Sequence, residues 1–134
     1  PVGKYTRQAL MNLGILDKVD DASTITTEQV SEALGGAEIS EQANVSKVLI
    51  AVTEGACEVG TAYYSDAYGL GDKLEILQVV SYDLTGNVIY PICRVENKEA
   101  DDAKKKAADD FLAYVTSDDA KKIFDSYYFD TNVE

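Results

Sequence analysis

Residues 44–66 constrain the fold more than any other stretch of this chain, because an amphipathic helix, a short turn and a tyrosine-tipped apolar run follow one another with almost nothing between them. Asn44 is placed to cap a helix, and Val45, Val48, Leu49, Val52 and Ala56 then fall at i, i+3, i+4, i+7 and i+11, which predicts one buried stripe. After Gly55 the run from 58 to 64 leads into Tyr63-Tyr64-Ser65-Asp66 and reads as a strand. A helix that feeds directly into a strand reverses the chain. The helix N-terminus and the C-terminal end of the strand then lie at one edge of a sheet, where open α/β sheets hold their ligands. Unpaired amides beside a phenol at such an edge suit an oxyanion.

The remaining elements follow from the same signals. Tyr5, Ala9, Leu10 and Leu13 share one side of a helix that starts almost at residue 2, and Gly14 closes it. A loop runs from 17 to 24. Thr26 and Gln29 then form a capping box, with Ile25 and Val30 spaced as a hydrophobic staple, and Gly35-Gly36 stops that helix. Residues 74–80 and 88–95 are rich in Val, Ile and Leu on either side of Thr85-Gly86-Asn87, which predicts two more strands, with Pro91 marking an edge, a strand start or a hinge. Residues 100–116 predict a helix with Ala103, Ala107, Ala108, Phe111, Leu112 and Val115 inward. Ser117 caps a last helix through Ala120, Ile123, Phe124 and Tyr127. The expected fold class is α/β, a small mixed sheet with helices on both faces. A chain that opens on a helix with no preceding strand reads as the later part of a longer protein.

Composition removes several functions. With 134 residues the chain is long enough for a real core, and the absence of histidine excludes histidine catalysis and histidine metal ligation. A net charge of −12 argues against nucleic acid and anionic membrane, yet leaves small anions open, since amides and helix dipoles bind them without cationic side chains. No GxSxG elbow, Walker A loop or glycine-rich dinucleotide fingerprint occurs, so no enzyme is expected. Asp66 is a lone carboxylate near the expected edge and reads as a cap for the next turn. Cys57 and Cys93 are too few and too distant for zinc or a CxxC pair. They read as two small buried apolar residues, with a disulfide as the alternative.

Several pieces carry a resemblance in their order and spacing. They are Pro-Val-Gly-Lys-Tyr at 1–5 with Leu13-Gly14, Ala43-Asn44-Val45, Val59-Gly60 through Tyr63 with Ser65-Asp66-Ala67, Tyr90-Pro91-Ile92, Phe111-Leu112-Ala113-Tyr114, and Ser117-Asp118-Asp119-Ala120 running to Ile123-Phe124. Nearly end to end, the chain resembles the C-terminal half of the molybdate-binding proteins of ABC transporters, in the type II periplasmic binding-protein group. The resemblance implies one lobe of a two-lobed clamp, with residues 1–95 as the second ligand-binding lobe and 96–134 as C-terminal helices that pack partly on a first lobe absent here. It implies molybdate or tungstate as ligand, no cofactor, and a membrane permease as partner.

Carried over residue by residue, the donors are the backbone N–H groups of Val2 and Val45 and the phenol of Tyr63. Val45 is the first helical residue, whose amide has no intrahelical acceptor; Gly3 beside Val2 admits close backbone approach; and a phenol keeps its proton at neutral pH. Tyr64 points away if Tyr63 points in. Lys4, Arg7 and Lys47 read as solvated steering charges rather than ligands. The connection from 20 to 40 is longer than is usual in the resembled family.

Because the first lobe's hydrogen bonds are missing, this chain alone is expected to bind molybdate poorly. The C-terminal apolar stripe would then pack on this lobe or against a second copy, giving a homodimer. The implied location is extracellular or periplasmic, with a lipid anchor as an option for the whole protein. The rival reading is a ligand-sensing effector domain of a transcription regulator, which what precedes residue 1 in the gene would reveal.

Overall fold

A computed structural model describes residues 1–132, and five of the six α-helices among them begin at a short polar side chain that accepts an amide hydrogen bond from the first turn. The caps are Thr26, Asn44, Ser81, Asp101 and Ser117; Thr26, Asn44 and Ser117 are those expected from the sequence, while Ser81 and Asp101 emerge only in the structure. The helices are α1 (Val2–Asn12), α2 (Thr27–Ala33), α3 (Val45–Thr53), α4 (Tyr82–Thr85), α5 (Asp102–Val115) and α6 (Asp118–Ser126), with 3₁₀ turns at Ala22–Thr24 and Tyr64–Ala67. The capping box of α2 is complete. Gln29 N–H donates to Thr26 Oγ1 at 3.2 Å, and Thr26 N–H donates to Gln29 Oε1 at 2.8 Å.

The chain divides into two units between Val88 and Ile89. In the first, Met11, Leu16, Ala22, Ile25 and Val30 form the buried cluster, with Leu10 and Ile39 packed against it. Both residues of the expected Ile25–Val30 staple are therefore part of this core. α1 packs on the Ala22–Thr24 turn and on α4, and Asn12 Nδ2 donates to the Leu84 carbonyl at 2.8 Å. In the second unit α5 packs on α6 around buried Ala120, the Phe129 ring meets Tyr90 and Phe124 edge-on, and Arg94 pairs with Asp109 at 2.9 Å.

The expected mixed sheet does not form. Among the described residues there is no strand, and the runs at 58–64, 74–80 and 88–95 lack strand pairing; Tyr64 starts a 3₁₀ turn instead. A helix satisfies its own backbone within the segment, whereas a strand needs a neighbour in register, so β-rich composition alone does not specify a sheet. Here α4 replaces the expected hairpin turn, and the unit boundary falls at the start of the second run. Of the two runs expected as strands, 74–80 lies in the first unit and all of 88–95 but Val88 in the second. Their side chains stay largely exposed, with Leu77 at 67% and Val95 at 80%.

Two expected stripes are also shallower than predicted. Val45, Val48, Leu49 and Val52 of α3 are half-buried, while Ala56 is exposed. On α5 and α6, Phe111, Ile123 and Phe124 are exposed, and only Ala120 is buried. Both cysteines are free thiols, Cys57 half-buried and Cys93 exposed, so neither the buried pair nor the disulfide is present.

Candidate functional site

The second turn of α1 carries the densest set of links between segments of the first unit. The Thr6 hydroxyl donates to the Val2 carbonyl at 2.9 Å and shares a 3.0 Å hydrogen bond with the Thr61 hydroxyl. Arg7 spreads its guanidinium over three acceptors: Nε to the Ile25 carbonyl at 2.8 Å, one terminal nitrogen to the Gly3 carbonyl at 3.1 Å and the other to Glu41 Oε1 at 2.9 Å. Its side chain is only 16% exposed. Arg7 is thus a structural fork and not the solvated steering charge expected from sequence. A lysine could not span these acceptors, because only the planar guanidinium offers five fixed donors.

Each expected ligand residue has a defined place. Val2 is the first residue of α1, whose Pro1 carbonyl accepts the N–H groups of Lys4 and Tyr5, leaving the Val2 and Gly3 amides without intrahelical acceptors. Val45 is the first residue of α3. Asn44 takes the Lys47 N–H on both its side chain and its carbonyl, so the Val45 and Ser46 amides at this positive helix end also lack intrahelical acceptors. Tyr63 precedes the Tyr64–Ala67 turn with extended backbone and is half-buried, whereas Tyr64 is 49% exposed.

After α3 the chain does reverse, as the amides of Ala56 and Cys57 both donate to the Ala51 carbonyl while Gly55 adopts φ +74°. It then passes so close to α3 that a Cβ at Gly60 would lie 2.7 Å from Val48 Cγ1 and 3.0 Å from Val52 Cγ2. The helix–turn–return reading of this stretch holds even though no strand results. Thr61 is bonded to α1 and Glu41 is bonded to α1, so the segments leading to Tyr63 and to Val45 are both tied to the helix that begins at Val2.

The electrostatics around these segments are mixed. Glu41 is held below the usual carboxylate range by the Thr27 hydroxyl and then by Arg7. Asp21 is lowered chiefly by hydrogen bonds from the Ser23 backbone and side chain, with Lys4 beside it at 3.2 Å. Asp66 does not act as the expected cap through its buried Oδ2, which has no hydrogen-bond partner. A cleft of about 680 Å³ along α2 involves none of Val2, Val45 or Tyr63, and its rim of Glu28, Glu32 and Glu38 opposes an anion. Among the described residues no group of acidic or cysteine side chains could hold a metal ion, and no helix is long and apolar enough to cross a membrane.

The sequence matches the family model described as bacterial extracellular solute-binding protein over residues 1–130. It is 29% identical over 129 residues to YvgL of Bacillus subtilis (strain 168), named as an ABC transporter substrate-binding lipoprotein. It is 27% identical over 129 residues to the molybdate-binding protein ModA of Haemophilus influenzae. Each alignment takes in 96% of this chain and 42% of the relative, so the chain spans less than half the length of either. No solved structure matches the chain significantly. A family match that runs almost from end to end settles membership: the chain belongs to the bacterial extracellular solute-binding proteins.

Proposed function

We propose that this chain supplies part of an oxyanion site, with molybdate or tungstate as ligand, in the solute-binding component of an ABC importer. The donors in this reading are the Val2 and Val45 amides and the Tyr63 phenol. The observation that carries it is the capped start of α3, where the Val45 amide stands at a positive helix end with no intrahelical acceptor. The path of the chain supports a shared site. Gly60 lies beside Val48 and Val52, and three further residues span up to about 10 Å, close to the roughly 8 Å of helix axis between that level and the start of α3. The likeness to ModA, whose name is that of a molybdate-binding protein, supports the choice of ligand. Delivery to a membrane permease, a location outside the cytoplasmic membrane with a lipid anchor, and binding without catalysis complete the proposal.

Calorimetric titration of the protein that carries this chain with molybdate, tungstate and sulfate tests it, alongside Tyr63→Phe. A hydrogen bond to a charged group contributes about 1.5–3 kcal/mol, so losing the phenol should weaken molybdate binding roughly 10- to 150-fold. Tight binding unchanged in Tyr63→Phe removes the phenol from the site, and a protein selective for sulfate overturns the ligand.

A further inference from the structure

Resting on the proposed donor set, we infer that Thr6 and Arg7 are positioning residues that set the spacing of the three donors without touching the ligand. They are consecutive residues of α1, and each bonds back to the first turn of that helix, Thr6 to the Val2 carbonyl and Arg7 to the Gly3 carbonyl. Each then reaches out to a different donor segment. Thr6 meets Thr61, two residues before Tyr63, and Arg7 meets Glu41, three residues before the Asn44 cap of α3. The third bond of Arg7, to the Ile25 carbonyl, anchors the fork in the buried cluster, since Ile25 is 6% exposed. α1 is therefore the ruler against which both other donors are placed. Side-chain forks of this kind restrict donor geometry because moving one acceptor strains the bonds to the others.

A general cationic effect predicts something different. If Arg7 acts only by its charge on the anion, any cation at position 7 serves equally well. The fork requires the planar five-donor group, so Arg7→Lys keeps the charge and loses the geometry.

The test is molybdate calorimetry on the protein that carries this chain, unsubstituted and with Arg7→Lys, Glu41→Gln, Thr6→Val or Thr6→Ser, with amide hydrogen exchange by NMR on each ligand-free protein. Arg7→Lys and Thr6→Val should weaken molybdate binding about 10- to 100-fold, taking as a guide the range for residues that orient metal-ion ligands, while Thr6→Ser keeps the hydroxyl and the affinity. Exchange should accelerate at the hydrogen-bonded amides of Lys4, Tyr5, Lys47 and Val48 in Arg7→Lys, at Lys47 and Val48 alone in Glu41→Gln, and at Asp66, which donates to the Tyr63 carbonyl, in Thr6→Val. Unaltered affinity in Arg7→Lys and Thr6→Val overturns the inference and leaves the proposed ligand standing. If the unsubstituted protein takes up no molybdate, the proposed function falls. The exchange comparison still decides whether these two residues space the segments, with unchanged exchange counting against them.

Discussion

Replacing Gly60 by alanine probes a close approach of the returning chain to α3. The new methyl would sit 2.7 Å from Val48 Cγ1 and 3.0 Å from Val52 Cγ2, well inside the 3.5–4.0 Å at which carbon atoms attract. Neither neighbour can swing aside, because a β-branched side chain in a helix is confined almost to one rotamer. Segment 58–63 must lift from α3 or α3 must shift. Overpacking of this kind costs about 1–3 kcal/mol, which lowers the thermal midpoint by roughly 4 °C per kcal/mol for a chain of this size. Thermal unfolding followed by far-UV circular dichroism measures it. The companion variant Val48→Ala removes the nearer obstacle, so Gly60→Ala combined with Val48→Ala should recover part of the loss, with a coupling of about 0.5–3 kcal/mol. A midpoint unmoved by Gly60→Ala, or strictly additive effects in the double variant, would refute the contact as the cause.

Two further outcomes follow from the first unit. Met11 is 4% exposed at the centre of the cluster, and Met11→Ala should cost about 2–5 kcal/mol in urea unfolding; a loss under about 1 kcal/mol would mean that the cluster collapses to fill the space. Asp21 and Glu41 are both held below their ordinary values in the folded chain. Their contribution is therefore present above the unfolded carboxylate range and is lost as pH falls through their depressed folded values. Both are exposed at the surface, so the effect is small and weakened by salt. Urea midpoints measured on the acid side should fall less steeply in Asp21→Asn and Glu41→Gln, and an identical slope would show that these carboxylates do not drive the loss.

Helix starts were legible because capping is local. Thr26, Asn44 and Ser117 lie within three residues of the amides they satisfy, and no tertiary partner is needed for that bond to form. The end of α1 at Gly14 and the reversal after Gly55 were legible for the same reason, since both glycines adopt the positive φ that closes a helix. The strands were not. Residues 74–80 and 88–95 have the composition of strands, but pairing is a relation between segments that no local signal specifies, and neither run forms a strand. Arg7 was misread because an arginine one turn into a helix reads as solvated unless its acceptors are known. Two of its three acceptors lie 18 and 34 residues away. Thr6 offered no signal at all.

The residues alone determined where α2, α3 and α6 begin and that α1 closes at Gly14, that histidine chemistry is impossible, and which family pattern the chain follows, because each of these is decided by composition, by order, or by groups a few positions apart. Only the tertiary structure decided that no sheet forms among the described residues and that α1, through Thr6 and Arg7, ties together the segments of Val45 and Tyr63. Contacts across tens of residues depend on which segments meet once backbone hydrogen bonds and apolar surface have been satisfied, and no local rule contains that choice.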